Sequence, residues 1–212
     1  MTKQRPLQLT SLPRIGLLAA ALATTTLLGA CAPLLLGGAM VGTAFSVSDR
    51  RTSGAQLEDE AIELKSIGRL RDALGGRGHL NVTSFNRTVL ITGEVPSQAD
   101  RGAAEQTVTR IENVRATVNE LAVMGNSSLT ARSSDTSITS KVKAAYIEAK
   151  DLQANAIKVV AERGTVYLMG RVTAREADRA ANLARGVGGV GKVVKVFEIL
   201  SEAELAELQP KR

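Results

Sequence analysis

Apolar and charged positions divide the chain into a leader, a glycine-rich connector and a longer amphipathic region. Residues Ile15 to Leu28 carry no charge, and ahead of them stand Lys3, Arg5 and Arg14 with no acidic residue. A basic start, a short apolar run and small residues after it form the pattern of a secretory signal, which predicts removal of residues 1–30. Ala32 to Val47 is apolar again but contains Gly37, Gly38 and Gly42. That stretch is too short and too flexible for a good spanning helix. It predicts a tether over 31–56, polar from Asp49 to Gln56.

Beyond the tether the periodicity becomes regular. Leu64, Ile67, Leu70 and Leu74 fall three or four apart and predict a helix with those residues inward. Val82–Phe85 and Val89–Val95, joined at Asn86-Arg87, predict a strand pair. Ala103/Ala104, Val108 and Ile111 predict a second helix, and Ala116–Val123 a closing strand.

The same order recurs about 76 residues later. Asp59-Glu60-Ala61-Ile62 answers Asp135-Thr136-Ser137-Ile138. Thr88-Val89-Leu90-Ile91-Thr92-Gly93-Glu94-Val95 answers Thr165-Val166-Tyr167-Leu168-Met169-Gly170-Arg171-Val172. In the second copy Ile138, Val142, Ala145 and Ala149 predict the inner face of a helix over roughly Ser134–Lys150, with Asp135 and Thr136 as its cap. Ile157–Ala161 and Val166–Val172 predict the strand pair, Ala177 to Val187 the second helix and Lys192–Leu200 the last strand. The fold class is therefore α+β: two tandem α-β-β-α-β units, each a three-stranded sheet with two helices on one face. The boundaries are 57–124 and 135–200, with a small polar linker at 125–134 and a short acidic helix and tail at 201–212. At about 65 residues each core is marginal alone, so docking of one copy on the other is expected to add burial. Gly93 and Gly170 lie inside strands, where glycine marks a bulge or a close approach. A crossing helix is the expected neighbour.

Composition narrows the functions. The chain has 212 residues with three Phe, two Tyr and no Trp. Its net charge of +6 falls to +3 once the three basic leader residues are removed. Scarce aromatics, modest charge and a secretion signal argue against nucleic-acid binding. The charge is uneven. Residues 59–124 hold 8 basic and 9 acidic side chains, whereas residues 135–200 hold 11 basic and 7 acidic, which makes the second copy the partner for something anionic. His79 and Cys31 are the only residues of their kinds, so a zinc site of Cys/His type lacks ligands. No metal or other cofactor is expected. His79 follows a glycine-rich turn without a Gly-x-Ser-x-Gly, and the pairs Asp59/Glu60 and Glu176/Asp178 have the spacing of solvated helix ends. No catalytic constellation emerges, and an enzyme is not expected.

Two resemblances sharpen this reading. Leu28-Gly29-Ala30-Cys31 after the apolar run resembles the lipobox of bacterial lipoproteins. It implies cleavage between Ala30 and Cys31, acylation of the Cys31 sulfur and an anchor of more than one chain, which two or more acyl groups make durable. Ala32, where an Asp often marks inner-membrane retention, leans towards an outer-membrane location facing the periplasm. The strand motif Val166-Tyr167-Leu168-Met169-Gly170-Arg171-Val172 and the turn Val187-Gly188-Gly189-Val190 resemble the BON domain. The first copy departs at that turn, with Ile111-Glu112-Asn113-Val114. A lipobox followed by two such copies resembles the dual-BON outer-membrane lipoproteins.

That resemblance implies binding of anionic phospholipid by the first helix of the second copy, with roles in outer-membrane integrity and at division sites. The candidate residues are Ser137, Ser140, Lys141, Ala144 and Ile147, flanked by Lys143, Tyr146 and Lys150. Lysines beside an apolar side chain are the pairing of an interfacial helix. The alternative is an adaptor for another envelope protein, regulating cell-wall hydrolysis or envelope assembly, with lipid contact incidental.

Overall fold

In the computed structural model, residues 49–208 are described. The leader, Ala30, Cys31 and the tether up to residue 48 lie outside them, as do residues 209–212. No helix among the described residues is long and apolar enough to cross a membrane.

The first repeat comprises α1 (Ser53–Leu74), β1 (His79–Phe85), β2 (Thr88–Val95), α2 (Gln98–Thr109), β3 (Ala116–Asn119) and β4 (Ala122–Val123). The second comprises α3 (Leu129–Glu148), a 3₁₀ turn at Ala154–Ala156, β5 (Ile157–Glu162), β6 (Thr165–Thr173), α4 (Ala174–Arg185) and β7 (Lys192–Leu200); α5 (Glu202–Leu208) follows. In each sheet the middle strand pairs antiparallel with the one before it and parallel with the one after. The closing strand of the first repeat is broken into β3 and β4, both on β2. Asn119 causes the break: its Oδ1 accepts from the Leu121 N–H, and its Nδ2 donates to Arg101 O and Glu105 on α2.

Both first helices begin earlier than the sequence suggests. Thr52 caps α1 at the Ala55 N–H, inside the stretch expected to be a polar tether. Ser128 caps α3 at the Ala131 N–H, which shortens the expected linker to Gly125–Ser128. Each cap supplies an acceptor that the first turn of a helix otherwise lacks. Asp135, expected as a cap, instead sits well within α3. Its carboxylate accepts from the Arg163 and Gly164 N–H groups of the β5–β6 turn. Asp59 on α1 does the same for Asn86 and Arg87 of the β1–β2 turn. Both turns place two consecutive residues at positive φ, the two-residue geometry that suits the twist of a hairpin. Neither Asp59 nor Glu176 is solvated as expected; both are buried.

The inward row of α1 also differs. Ile62, Ser66, Leu70 and Leu74 are buried, whereas Leu64 is 72% and Ile67 45% exposed. Ser66 satisfies its hydroxyl by donating to Ile62 O, so a polar residue occupies a core position. Helices α1 and α2 cover Val89, Ile91 and Val95 of β2; α3 and α4 cover Val166, Leu168 and Val172 of β6. The opposite sheet faces meet each other through Phe85, Leu90, Tyr167 and Met169, supported by Val118, Val160, Val194 and Val196. The repeats therefore stack as helix, sheet, sheet, helix, and each small core gains the second layer it lacks alone.

The strand glycines answer to strands and not to a helix crossing. A Cβ on Gly93 (φ 116°) would collide with His79 O, and one on Gly170 would lie 2.5 Å from Ala156 O. In one case the obstacle is backbone at the start of the preceding strand, in the other backbone immediately before it.

Candidate functional site

Helix α3 presents one solvent face. Ser137, Ser140, Lys141, Ala144 and Ile147 are all exposed, and Lys143 and Lys150 stand beside them. Ile147 is 74% exposed. The three lysines take no part in the ion pairs formed among the described residues. The hydroxyl of Ser140 donates back to Thr136 O, which leaves a small, low-profile surface between the charged and apolar side chains.

Tyr146 does not belong to this face. It is 1% exposed, and its hydroxyl donates to Ala180 O on α4 at 3.0 Å. The buried row of α3 is Asp135, Ile138, Val142 and Tyr146. Spacing of three or four admits Ala145 or Tyr146 as the next inward residue; the larger ring fills the gap to α4, and Ala145 is only half-buried. Burial pushes the Tyr146 hydroxyl well above the ordinary tyrosine range.

Leu129 is the residue the sequence reading missed. It is 81% exposed at the first position of α3 and was hidden within the expected linker. At 100° per residue it shares the direction of Ile147, with Ser140 about 20° and Ala144 about 60° from the line between them. The two leucine-type side chains are separated by about 27 Å along the axis. The helix thus carries an apolar side chain at either end of one face, with small residues between and lysines alongside.

The chain entering α1 is fastened to the second repeat near this helix. Arg50 forms two 2.7 Å bonds to Glu176, and it also donates to Arg171 O and Gln153. Arg171 returns a bond to Arg50 O. Glu176 closes the capping box of α4 with Thr173 as well. The Arg50 guanidinium, against some opposition from burial, holds its carboxyl below the usual range. Next to it, Asp49 and Arg51 line a cavity of about 300 Å³ together with Lys143 and Ile147 of α3. The Arg51 guanidinium lies 4.1 Å from the Phe85 ring centre, a cation–π contact. Its other partners are Asp49 and Asp59, at 2.6 and 2.7 Å.

Further ionised groups join the repeats. Glu94, whose side chain is fully buried, pairs with Arg163 at 2.9 Å and accepts from the Ser127 N–H. Burial alone would raise its pKa, but these partners outweigh it and the net direction is down. Glu198 accepts from Asn86, Arg115 and Arg171. Lys158 pairs with Glu63 at 2.9 Å. His79, the only histidine, is half-buried with Nδ1 3.5 Å from Glu94 Oε2.

Several known proteins are similar to this chain in sequence. Outer membrane lipoprotein DolP of Haemophilus influenzae is 35% identical over 185 residues, covering 86% of this chain and 95% of that protein. The 21 kDa hemolysin of Actinobacillus pleuropneumoniae is 33% identical over 151 residues, 70% of this chain and 78% of its own. Osmotically-inducible protein Y of Escherichia coli is 28% identical over 141 residues, 65% and 70% respectively. Among solved structures, the Chlamydia trachomatis type III secretion protein CdsD aligns at 10% identity with a TM-score of 0.28, which carries no inference. The BON domain matches twice, over residues 58–125 and 134–201. With both repeats matched and a DolP relative aligned over most of its length, the chain belongs to the BON domain family as a DolP-like, dual-BON protein.

Proposed function

We propose that this chain is an outer-membrane lipoprotein anchored through Cys31, facing the periplasm, whose second BON repeat lies on anionic phospholipid through the outer face of α3. In this reading it supports outer-membrane integrity and acts at division sites, and it is not an enzyme. Similarity to DolP of H. influenzae, named an outer membrane lipoprotein, supports the location. The observation that carries the lipid reading is the strap at Asp49–Arg51. It seats residues 49–51, the first after the tether, beside Lys143 and Ile147, which supports contact of that face with the bilayer. Lysines near an anionic surface contribute about 1 kcal/mol each within a Debye length. That is enough to orient a body already tethered.

The test is flotation of residues 48–212, without acyl chains, with vesicles of zwitterionic lipid alone or with phosphatidylglycerol or cardiolipin, at low and high salt. Binding should need anionic lipid and fade with salt. Charge reversal of Lys141, Lys143 and Lys150 together should weaken it by roughly 100-fold or more, at about 1 kcal/mol per lysine. Flotation unchanged by that reversal would defeat the lipid reading. It would favour the second one, an adaptor for an envelope protein, to which the exposed Leu57, Leu64 and Ile67 of α1 lend support.

A further inference from the structure

We infer that His79, Glu94 and Glu162 form a site for a divalent transition cation that ties the two BON repeats together. His79 opens β1 and Glu94 lies opposite it on β2, in register. Glu162 ends β5 in the other repeat and arrives through the stacking of the sheets. One donor atom from each of the three lies within 4.8 Å of the others. His79 Nδ1 and Glu94 Oε2 are 3.5 Å apart. That is close to the edge of a tetrahedron built on metal–ligand bonds of about 2.0–2.2 Å.

The surroundings are those of a ligand set. His79 Nδ1 is buried and has no hydrogen-bond partner, an unusual condition for a buried ring nitrogen. Neutral imidazole nitrogen with carboxylate oxygens suits zinc and its neighbours better than calcium or magnesium, which take oxygen alone. Each carboxylate is oriented by a hydrogen bond of its own, and Arg163 Nη1 also lies 4.0 Å from Glu162 Oε1. Arg163 donates to Glu94 Oε1 at 2.9 Å, and Asn81 donates to Glu162 Oε2 at 2.8 Å. Outer partners of this kind fix the direction of metal ligands. The Ser127 N–H also reaches Glu94 Oε2, at 3.1 Å, leaving that oxygen a further lone pair. The charge balance favours a cation. Glu94, Glu162 and the adjoining Asp135 carry three negative charges against Arg163 and Arg132. An open cavity of about 380 Å³ lined by His79, Asn81, Arg132, Asp135 and Glu162 gives access and room for water as a fourth ligand. Such a site escapes a search for Cys/His spacing, because two of its three ligands are carboxylates and one comes from the other repeat.

The test uses the mature acylated chain in detergent, in which the only cysteine, Cys31, is held as a thioether and no thiol competes for metal. Zinc chloride titrated into the metal-free protein should bind one ion per chain by calorimetry and raise Tm, and EDTA should reverse the rise. Cobalt in place of zinc should give the visible absorption of a low-coordinate site. His79→Gln and Glu162→Gln should each weaken binding at least about tenfold, and Asn81→Ala, which alters only an outer partner, by about 10–100-fold. Circular dichroism of the metal-free variants establishes that they fold; if one does not, the other and the cobalt spectrum decide. No zinc heat up to millimolar concentration, or unchanged affinity in the folded His79 and Glu162 variants, would overturn the site. So would a stabilisation that follows pH and ignores zinc, which would make His79 an ion-pair partner of Glu94 instead.

Discussion

Replacing Asp59 with Ala removes a carboxylate that organises a whole corner of the first repeat. Its side chain is 3% exposed and accepts from Ser84 Oγ at 2.6 Å, Asn86 N at 2.7 Å, Arg87 N at 2.8 Å and Arg51 at 2.7 Å. Bonds to a charged acceptor are worth roughly 1.5–3 kcal/mol each before relaxation. They do not simply add, because Arg51 keeps Asp49 and exposed Arg87 can turn its amide to water. The Ser84 hydroxyl is buried and has no such recourse, and the turn at Asn86-Arg87 loses what holds it at positive φ. A loss of about 3–5 kcal/mol follows, the range for breaking a buried charged pair. For a folded body of this size that is a fall in Tm of about 10 °C or more. Asp135→Ala removes only two backbone bonds and should cost less, about 2–3 kcal/mol. Burial raises the pKa of Asp59, but Ser84, the Arg87 N–H, Arg51 and the Asn86 N–H outweigh it, so the native value lies below the unfolded one. The unfolded state then binds more protons, and stability rises with pH through that window. The contribution of Asp59 is complete above its unfolded pKa of about 3.9 and disappears as pH falls through the native value. Thermal and urea unfolding followed by circular dichroism, at neutral pH and in steps below pH 4, measure both effects. A Tm within 2 °C of wild type for Asp59→Ala, or an acid limb as steep in the variant as in the wild type, would refute the clamp.

Two further outcomes follow from the structure. Tyr146→Phe should lower stability by about 1 kcal/mol through loss of the bond to Ala180 O while leaving vesicle flotation unchanged; reduced flotation with unchanged stability would return Tyr146 to the lipid face. Arg50→Ala leaves buried Glu176 without its principal cation and should cost about 3–5 kcal/mol in urea unfolding, and limited proteolysis should cut earlier near residues 49–53; a variant as protease-resistant and stable as wild type would mean that the strap is not fastened.

How far the sequence reached depends on what each segment asks of its residues. Strand β6 was legible because Val166, Leu168, Gly170 and Val172 alternate onto one face and the repeat supplied a second copy. The turns were legible from Asn86-Arg87 and Arg163-Gly164. The helix starts were not, since Ser127 to Ser134 has the composition of a linker and becomes helical only with Ser128 as cap. The inward row of α1 was misread because Ser66 occupies a core position while Leu64 and Ile67 face solvent. Of the eight candidate residues on and just after α3, seven are exposed and Tyr146 is not. Tyr146 failed because periodicity does not choose between adjacent positions, and the reach to Ala180 does. Contacts between repeats, such as Glu162 with Asn81, leave no mark on spacing at all. They depend on how two sheets meet.

Stacking sheet on sheet also decides what this molecule can touch at one time. The inner face of each sheet is committed to the other repeat, so neither is available to an extended peptide laid across it. The helical layers look outward in opposite directions. If α3 rests on a flat surface, the layer of α1 and α2, with Leu57, Leu64 and Ile67, is turned away from it by the thickness of the whole body. A protein built this way behaves as a two-sided spacer. Two things bound to the two layers at once would be held a fixed distance apart, and both faces cannot fold onto the same target.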